Sequence, residues 1–160
     1  MKFGLVPPEP PASNDLTLCA PQFAVAVERA MLELERQGFD PIINEAWRSD
    51  ERQAWLYAFG RDYDDGRGIV TNAPNARHGW HFFGLAADII SAKDGWDSPD
   101  FFDALQIAAA GNGLTSGSDW RVKDRPHVQW GKCKPAPSDV SATLFEQGGN
   151  HAVWQAVGAA

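Results

Sequence analysis

His81-Phe82-Phe83-Gly84-Leu85-Ala86-Ala87-Asp88-Ile89-Ile90-Ser91 is the stretch on which the reading of this chain turns. Residues 84 to 91, apolar apart from Asp88 and Ser91, read as a strand. Gly84 allows a sharp turn, so His81 can fold back toward Asp88, expected near the start of that strand. Further on, Asp124-Arg125-Pro126-His127 runs into Val128-Gln129-Trp130, a short strand that would bring His127 alongside. Two imidazoles and one carboxylate fill three corners of a zinc tetrahedron and leave the fourth for water, the pattern of a catalytic site. Ligands on sheet positions would be held rigidly, as a metal site needs. Asp124 precedes His127 in the chain and is a carboxylate that could accept a proton from such a water. Asp119 also precedes His127, but Pro126 fixes the bend after Asp124 and favours it; Asp119 is expected to cap or orient its loop.

The plainer reading stays open on spacing alone. A histidine in a domain of this size is more often a hydrogen-bonded structural residue, and four are available to pair. His78 is expected in a loop, because Pro74, Gly79 and Gly84 surround it and argue against a helix shared with His81. His151 is expected on the surface.

Working outward, Pro21 suits the first turn of a helix. Phe23, Val27, Ala30, Met31 and Leu34 then recur at helical spacing, and Gly38 is a stop signal. Pro41 to Trp47 reads as a buried strand. Ser49 or Asp50 can cap a second helix that runs to Phe59 and ends at Gly60. Residues 61 to 79 read as loop, with a short extended piece at Ile69-Val70-Thr71. Ser98-Pro99 opens a third helix that Gly111 and Gly113 stop. An amphipathic segment follows from Ser138 to Phe145, then a Gly-Gly pair and a last helical turn around Val153-Trp154. Helices and strands do not alternate strictly, so the expected class is α+β, a small antiparallel sheet flanked by helices in a single domain. The expected divisions are an N-terminal arm (1–19), a catalytic domain (20–131) and a C-terminal extension packed on the core (132–160).

The bulk numbers bound the function. A chain of 160 residues, 44% hydrophobic, can bury one proper core. A formal net charge of −7, with no basic cluster, disfavours nucleic acid. No apolar run is long enough to span a membrane. No signal peptide is expected in the first residues, because the apolar run is short and broken by prolines. The expectation is a monomer made in the cytoplasm that reaches any outside target only after release. Cys19 and Cys133 lack CxxC spacing and read as two free thiols, with a disulfide as the alternative. Arg48 reads either as an ion-pair partner of Glu45 or Asp50, or as a group that meets a substrate anion.

Three segments in order carry a family resemblance: Trp47-Arg48-Ser49-Asp50-Glu51-Arg52-Gln53, then Gly79-Trp80-His81-Phe82-Phe83-Gly84-Leu85-Ala86-Ala87-Asp88, then Asp124-Arg125-Pro126-His127. With them the chain resembles the zinc peptidases of peptidoglycan, which include D-alanyl-D-alanine carboxypeptidases and L-alanyl-D-glutamate endopeptidases, many of the latter phage endolysins. The likeness runs from about residue 20 to 131. It implies zinc held by His81, Asp88 and His127, Asp124 as general base and then acid, Arg48 on a substrate oxygen and the developing oxyanion, and Gln53 supporting that pocket. The implied substrate is the peptidoglycan stem peptide, cut between L-Ala and D-Glu, with D-Ala-D-Ala cleavage as the near alternative. A non-catalytic wall-binding or structural domain is the alternative of another class. One departure stands out: Gly79 occupies the place of the family's serine.

Overall fold

The structure, a computed structural model, describes residues 3–160. Helix α1 (Pro21–Arg36) begins at a proline and buries Phe23, Val27, Ala30 and Leu34 on one stripe. Strand β1 (Pro41–Glu45) follows, and then α2 (Asp50–Ala58), capped by the Ser49 hydroxyl accepting from the Arg52 amide. Strand β2 (Ala86–Ser91), helix α3 (Pro99–Gly111), strand β3 (Leu114–Ser116) and strand β4 (His127–Trp130) complete the core. Helix α4 (Asp139–Ala156) closes the chain and is interrupted at Gly148 and Gly149, whose backbone leaves the helical region. The Trp154 indole of α4 donates to the Phe83 carbonyl at 2.6 Å, which ties the last helix to the turn before β2.

The four strands form one antiparallel sheet in the order β1-β2-β4-β3. This α+β layout is the one expected. Strand β3 was not foreseen: three residues after a glycine-marked helix end are too short for a periodic signal. Residues 69–71 make no ladder, and Ile69 and Val70 are exposed. Alternation along β2 and β4 sends Ala87, Ile89 and Val128, all fully buried, into the core under α1 and α3. It sends Asp88, His127 and Gln129 to the opposite face.

Two details of the register matter for that face. Asp88 is cross-strand partner to His127 on one side and to Glu45 on the other. The β1–β2 pairing slips between Ile43 and Glu45, so a bulge at Asn44 turns Glu45, instead of its neighbour, toward Asp88. Re-aiming one side chain is the characteristic effect of a bulge.

The stretch before α1 lies against α2. The Pro7 carbonyl accepts from the Trp55 indole at 3.0 Å, and the Pro10 carbonyl accepts from Arg52 Nη1 at 2.8 Å. Among the described residues no helix is long and apolar enough to cross a membrane. Cys19 and Cys133 are both free.

Candidate active site

His81 does not stand on the sheet. It lies in the tight turn that precedes β2, where the amide of Gly84 bonds the His81 carbonyl at 3.2 Å and Gly84 takes a left-handed φ of 66°. A side chain at 84 would also press on the backbone of Leu18 and Cys19 at 3.0 Å, so glycine is needed there twice over. Asp88 is the third residue of β2, not its start, and His127 opens β4. Two ligand candidates therefore sit on paired strands, and one sits on a turn that the exit of β1 braces: the Arg48 amide donates to the His81 carbonyl at 3.2 Å.

The three side chains converge. His81 Nε2 and His127 Nδ1 each lie 3.6 Å from Asp88 Oδ1. One ligand atom from each of the three lies within 4.8 Å of the other two. A tetrahedron with bonds of about 2.1 Å has edges of about 3.4 Å, so the spacing fits one small divalent ion. The nitrogen and oxygen donor set is one that zinc accepts. The remaining ring nitrogens are engaged elsewhere. His81 Nδ1 faces the Ala46 carbonyl at 2.8 Å, and His127 Nε2 faces Gln129 Oε1 at 2.9 Å. The Trp120 ring lies over His127, with centroids 4.9 Å apart.

Electrostatics follow from this crowding. Burial penalises the Asp88 carboxylate, but the two imidazoles outweigh it and hold its pKa well below the usual range. Burial likewise opposes a charge on His127, yet the contact with Asp88 raises its pKa overall.

Asp124 lines the same cleft, a space of about 440 Å³ shared with Arg48, Gln53, Trp120 and the three convergent residues. Asp124 is exposed as a residue, yet the protein around its carboxyl, and then the Asp88 charge, raise its pKa. Its backbone is fixed against Gly117, whose carbonyl accepts from the Asp124 amide at 3.0 Å. A Cβ on Gly117 would fall 2.0 Å from the Asp124 carbonyl oxygen, so only glycine permits that approach. Asp119 points elsewhere and accepts from Gln106 at 2.6 Å.

Arg48 is tied on three sides. Its Nε and Nη2 donate to the two oxygens of Glu45 at 3.1 and 2.9 Å, its Nη1 donates to Gln53 Oε1 at 2.9 Å, and Nη2 lies 3.6 Å from Asp88 Oδ2. The ion-pair expectation with Glu45 holds; the Asp50 carboxylate instead meets Arg77. Gln53 is buried and donates to the Ala73 carbonyl at 2.8 Å. Glu45 also accepts from Arg52 Nε at 2.5 Å, so one buried carboxylate serves two guanidiniums. His78 and His151 are exposed and stand apart from the His81–Asp88–His127 cluster; His78 lines the cleft and bonds Asn75.

The burial of Glu45 between two guanidiniums and the part of Gln129 went unforeseen. The bulge that turns Glu45 inward has no sequence signature here, whereas the alternation of His127 and Gln129 on one strand face could have revealed Gln129.

The chain belongs to the family of peptidoglycan peptidases that includes the L-alanyl-D-glutamate endopeptidases and D-alanyl-D-alanine carboxypeptidases. It is 31% identical over 133 residues to the peptidoglycan L-alanyl-D-glutamate endopeptidase CwlK of Bacillus subtilis (strain 168), a match spanning 74% of this chain and 75% of CwlK. Its fold is similar to that of the Serratia marcescens L-Ala D-Glu endopeptidase ChiX, with a TM-score of 0.50 and 22% identity over 72% of this chain and 82% of that one. No protein-family model matches the chain.

Proposed function

We propose that this chain is a zinc-dependent peptidoglycan peptidase that hydrolyses the stem peptide between L-Ala and D-Glu. The observation that carries the reading is the convergence of His81, Asp88 and His127 in the cleft that Asp124 and Arg48 also line. The bond is assigned from the activity of CwlK.

His81 Nε2, Asp88 and His127 Nδ1 would hold the ion. When bound, zinc supplies Lewis acidity to the peptide carbonyl and to the attacking water. Asp124 takes the proton from that water and returns it to the departing amine nitrogen of D-Glu. Its raised pKa brings it nearer to neutrality, where a group can serve as base and then acid. Arg48 stabilises the negative charge that develops on the carbonyl oxygen. Of the five N–H groups of a guanidinium, those on Nε and Nη2 face Glu45 and Asp88 and one on Nη1 is held by Gln53, so the second Nη1 hydrogen is available to substrate. Gln53 and Glu45 keep that group aimed.

The test is Asp124→Asn. It is expected to retain zinc at the wild-type stoichiometry while cleavage of purified peptidoglycan falls on the order of 100- to 10,000-fold. Mass spectrometry of the fragments identifies the bond. Release of free D-Ala with the L-Ala–D-Glu bond left intact would move the assignment to the carboxypeptidase branch, and loss of zinc with activity would make Asp124 a ligand.

A further inference from the structure

Gln129 is buried in β4 at 1% exposure, two residues beyond His127 on the same face. Its amide bridges two groups. Its Nε2 donates to the Lys134 carbonyl at 3.1 Å, and its Oε1 faces His127 Nε2 at 2.9 Å. The direction of this relay is forced from its far end. A carbonyl only accepts, so the nitrogen of the Gln129 amide must face Lys134 and the oxygen must face His127. The carbonyl is itself pinned, because the Trp80 indole, which can only donate, reaches it at 2.7 Å. An amide oxygen cannot donate either. A neutral His127 must therefore carry its proton on Nε2, which leaves the Nδ1 lone pair on the side of Asp88.

We propose that Gln129, set by the Lys134 carbonyl, is a positioning residue that locks His127 in the tautomer able to bind metal through Nδ1. The proposal rests on the assignment of His127 as a ligand. It also gives the segment after β4 a part in the site: Lys134 holds, through its backbone, the amide that holds the imidazole. His81 needs no such device, since the Ala46 carbonyl engages its Nδ1 directly. Partners of this kind behind a metal-bound histidine fix ring orientation and raise basicity, and their loss commonly weakens metal binding by about 10- to 100-fold.

The experiment compares wild type, Gln129→Met and Gln129→Glu. Methionine keeps the volume and removes the acceptor; glutamate keeps an acceptor for His127 while giving up the donor to the Lys134 carbonyl. Zinc affinity is read by competition with a chromogenic chelator. The imidazole nitrogens of the metal-free proteins are read by ¹⁵N NMR at alkaline pH, where the rings are neutral. The expected result is a single Nε2–H tautomer for His127 in wild type and in Gln129→Glu. In Gln129→Met the tautomers mix and zinc binds roughly 10- to 100-fold more weakly. Wild-type zinc affinity with an unchanged nitrogen spectrum in Gln129→Met overturns the proposal. So does an Nδ1–H tautomer in the wild type, which needs no variant to fold. Failure of the wild type to bind zinc would instead strike the metal assignment, and the nitrogen spectrum would still decide the lock.

Discussion

Replacing Glu45 by glutamine isolates the charge at the centre of the arginine pair. The side chain is 4% exposed and accepts from Arg48 Nε, Arg48 Nη2 and Arg52 Nε. Glutamine keeps the shape but carries no charge, and its amide nitrogen cannot accept. Breaking a buried ion pair from one side costs about 3–5 kcal/mol, because a charge is left uncompensated. Here both arginines keep other partners: Gln53 and Asp88 for Arg48, Glu9 and the Pro10 carbonyl for Arg52. The low end, about 3 kcal/mol, is therefore expected. In a domain of this length that lowers Tm by roughly 6–12 °C, at about 2–4 °C per kcal/mol. Thermal and urea unfolding followed by tryptophan fluorescence measures it. Asp65→Asn is the control: its pair with Arg67 is 41% and 44% exposed, and its loss should cost no more than about 1 kcal/mol. Glu45→Gln melting together with Asp65→Asn would refute the claim that burial gives this carboxylate its weight.

Gly117→Ala should move the Asp124 backbone and reduce turnover on the order of 100-fold, as misplacements near 1 Å do, while zinc content stays at the wild-type value; steady-state kinetics with metal analysis checks it. Gly79→Ser should fold as well as wild type, since the backbone there is extended and space beside it is open, and any effect should appear as altered KM on cleaved muropeptides. Removing zinc with a chelator should abolish cleavage and cost about 2.7 kcal/mol of stability, read as a fall in Tm, for protein previously held in free zinc at about one hundred times its Kd. Burial pushes the thiols of Cys19 and Cys133 up to about 11 and about 12, from an ordinary 9.0. A raised pKa favours the neutral form in the folded state, so this contribution is whole below pH 9 and falls away as pH rises through 11. Accordingly, a disulfide reagent at mildly alkaline pH should label the denatured chain at both positions and the native chain far more slowly.

Much of the site was legible because its chemistry depends on residue type. Histidine and aspartate at a turn, a strand and a neighbouring strand carry both identity and approximate placement. Asp88 and His127 did prove to be direct cross-strand partners. What escaped depends on register. The strand was expected over 84–91 and His81 on a sheet position; the left-handed φ of Gly84 keeps His81 in the turn, and β2 begins only at Ala86, two residues before Asp88. Glu45 looks like a surface acid in Ile43-Asn44-Glu45 until the bulge is known. Gln129 looks like an ordinary polar position until its bond to His127 is seen. Strand β3 is held by its ladder with β4, a long-range pairing that three residues cannot announce.

The strap formed by residues 4–10 has a mechanical consequence. It is fastened to Asp62, Trp55 and Arg52, and Glu9 meets Arg52 at 2.9 Å. Arg52 in turn grips Glu45, which aims Arg48. The strap is thus joined to the guanidinium beside Asp88 by a chain of polar contacts that runs outside the hydrophobic interior.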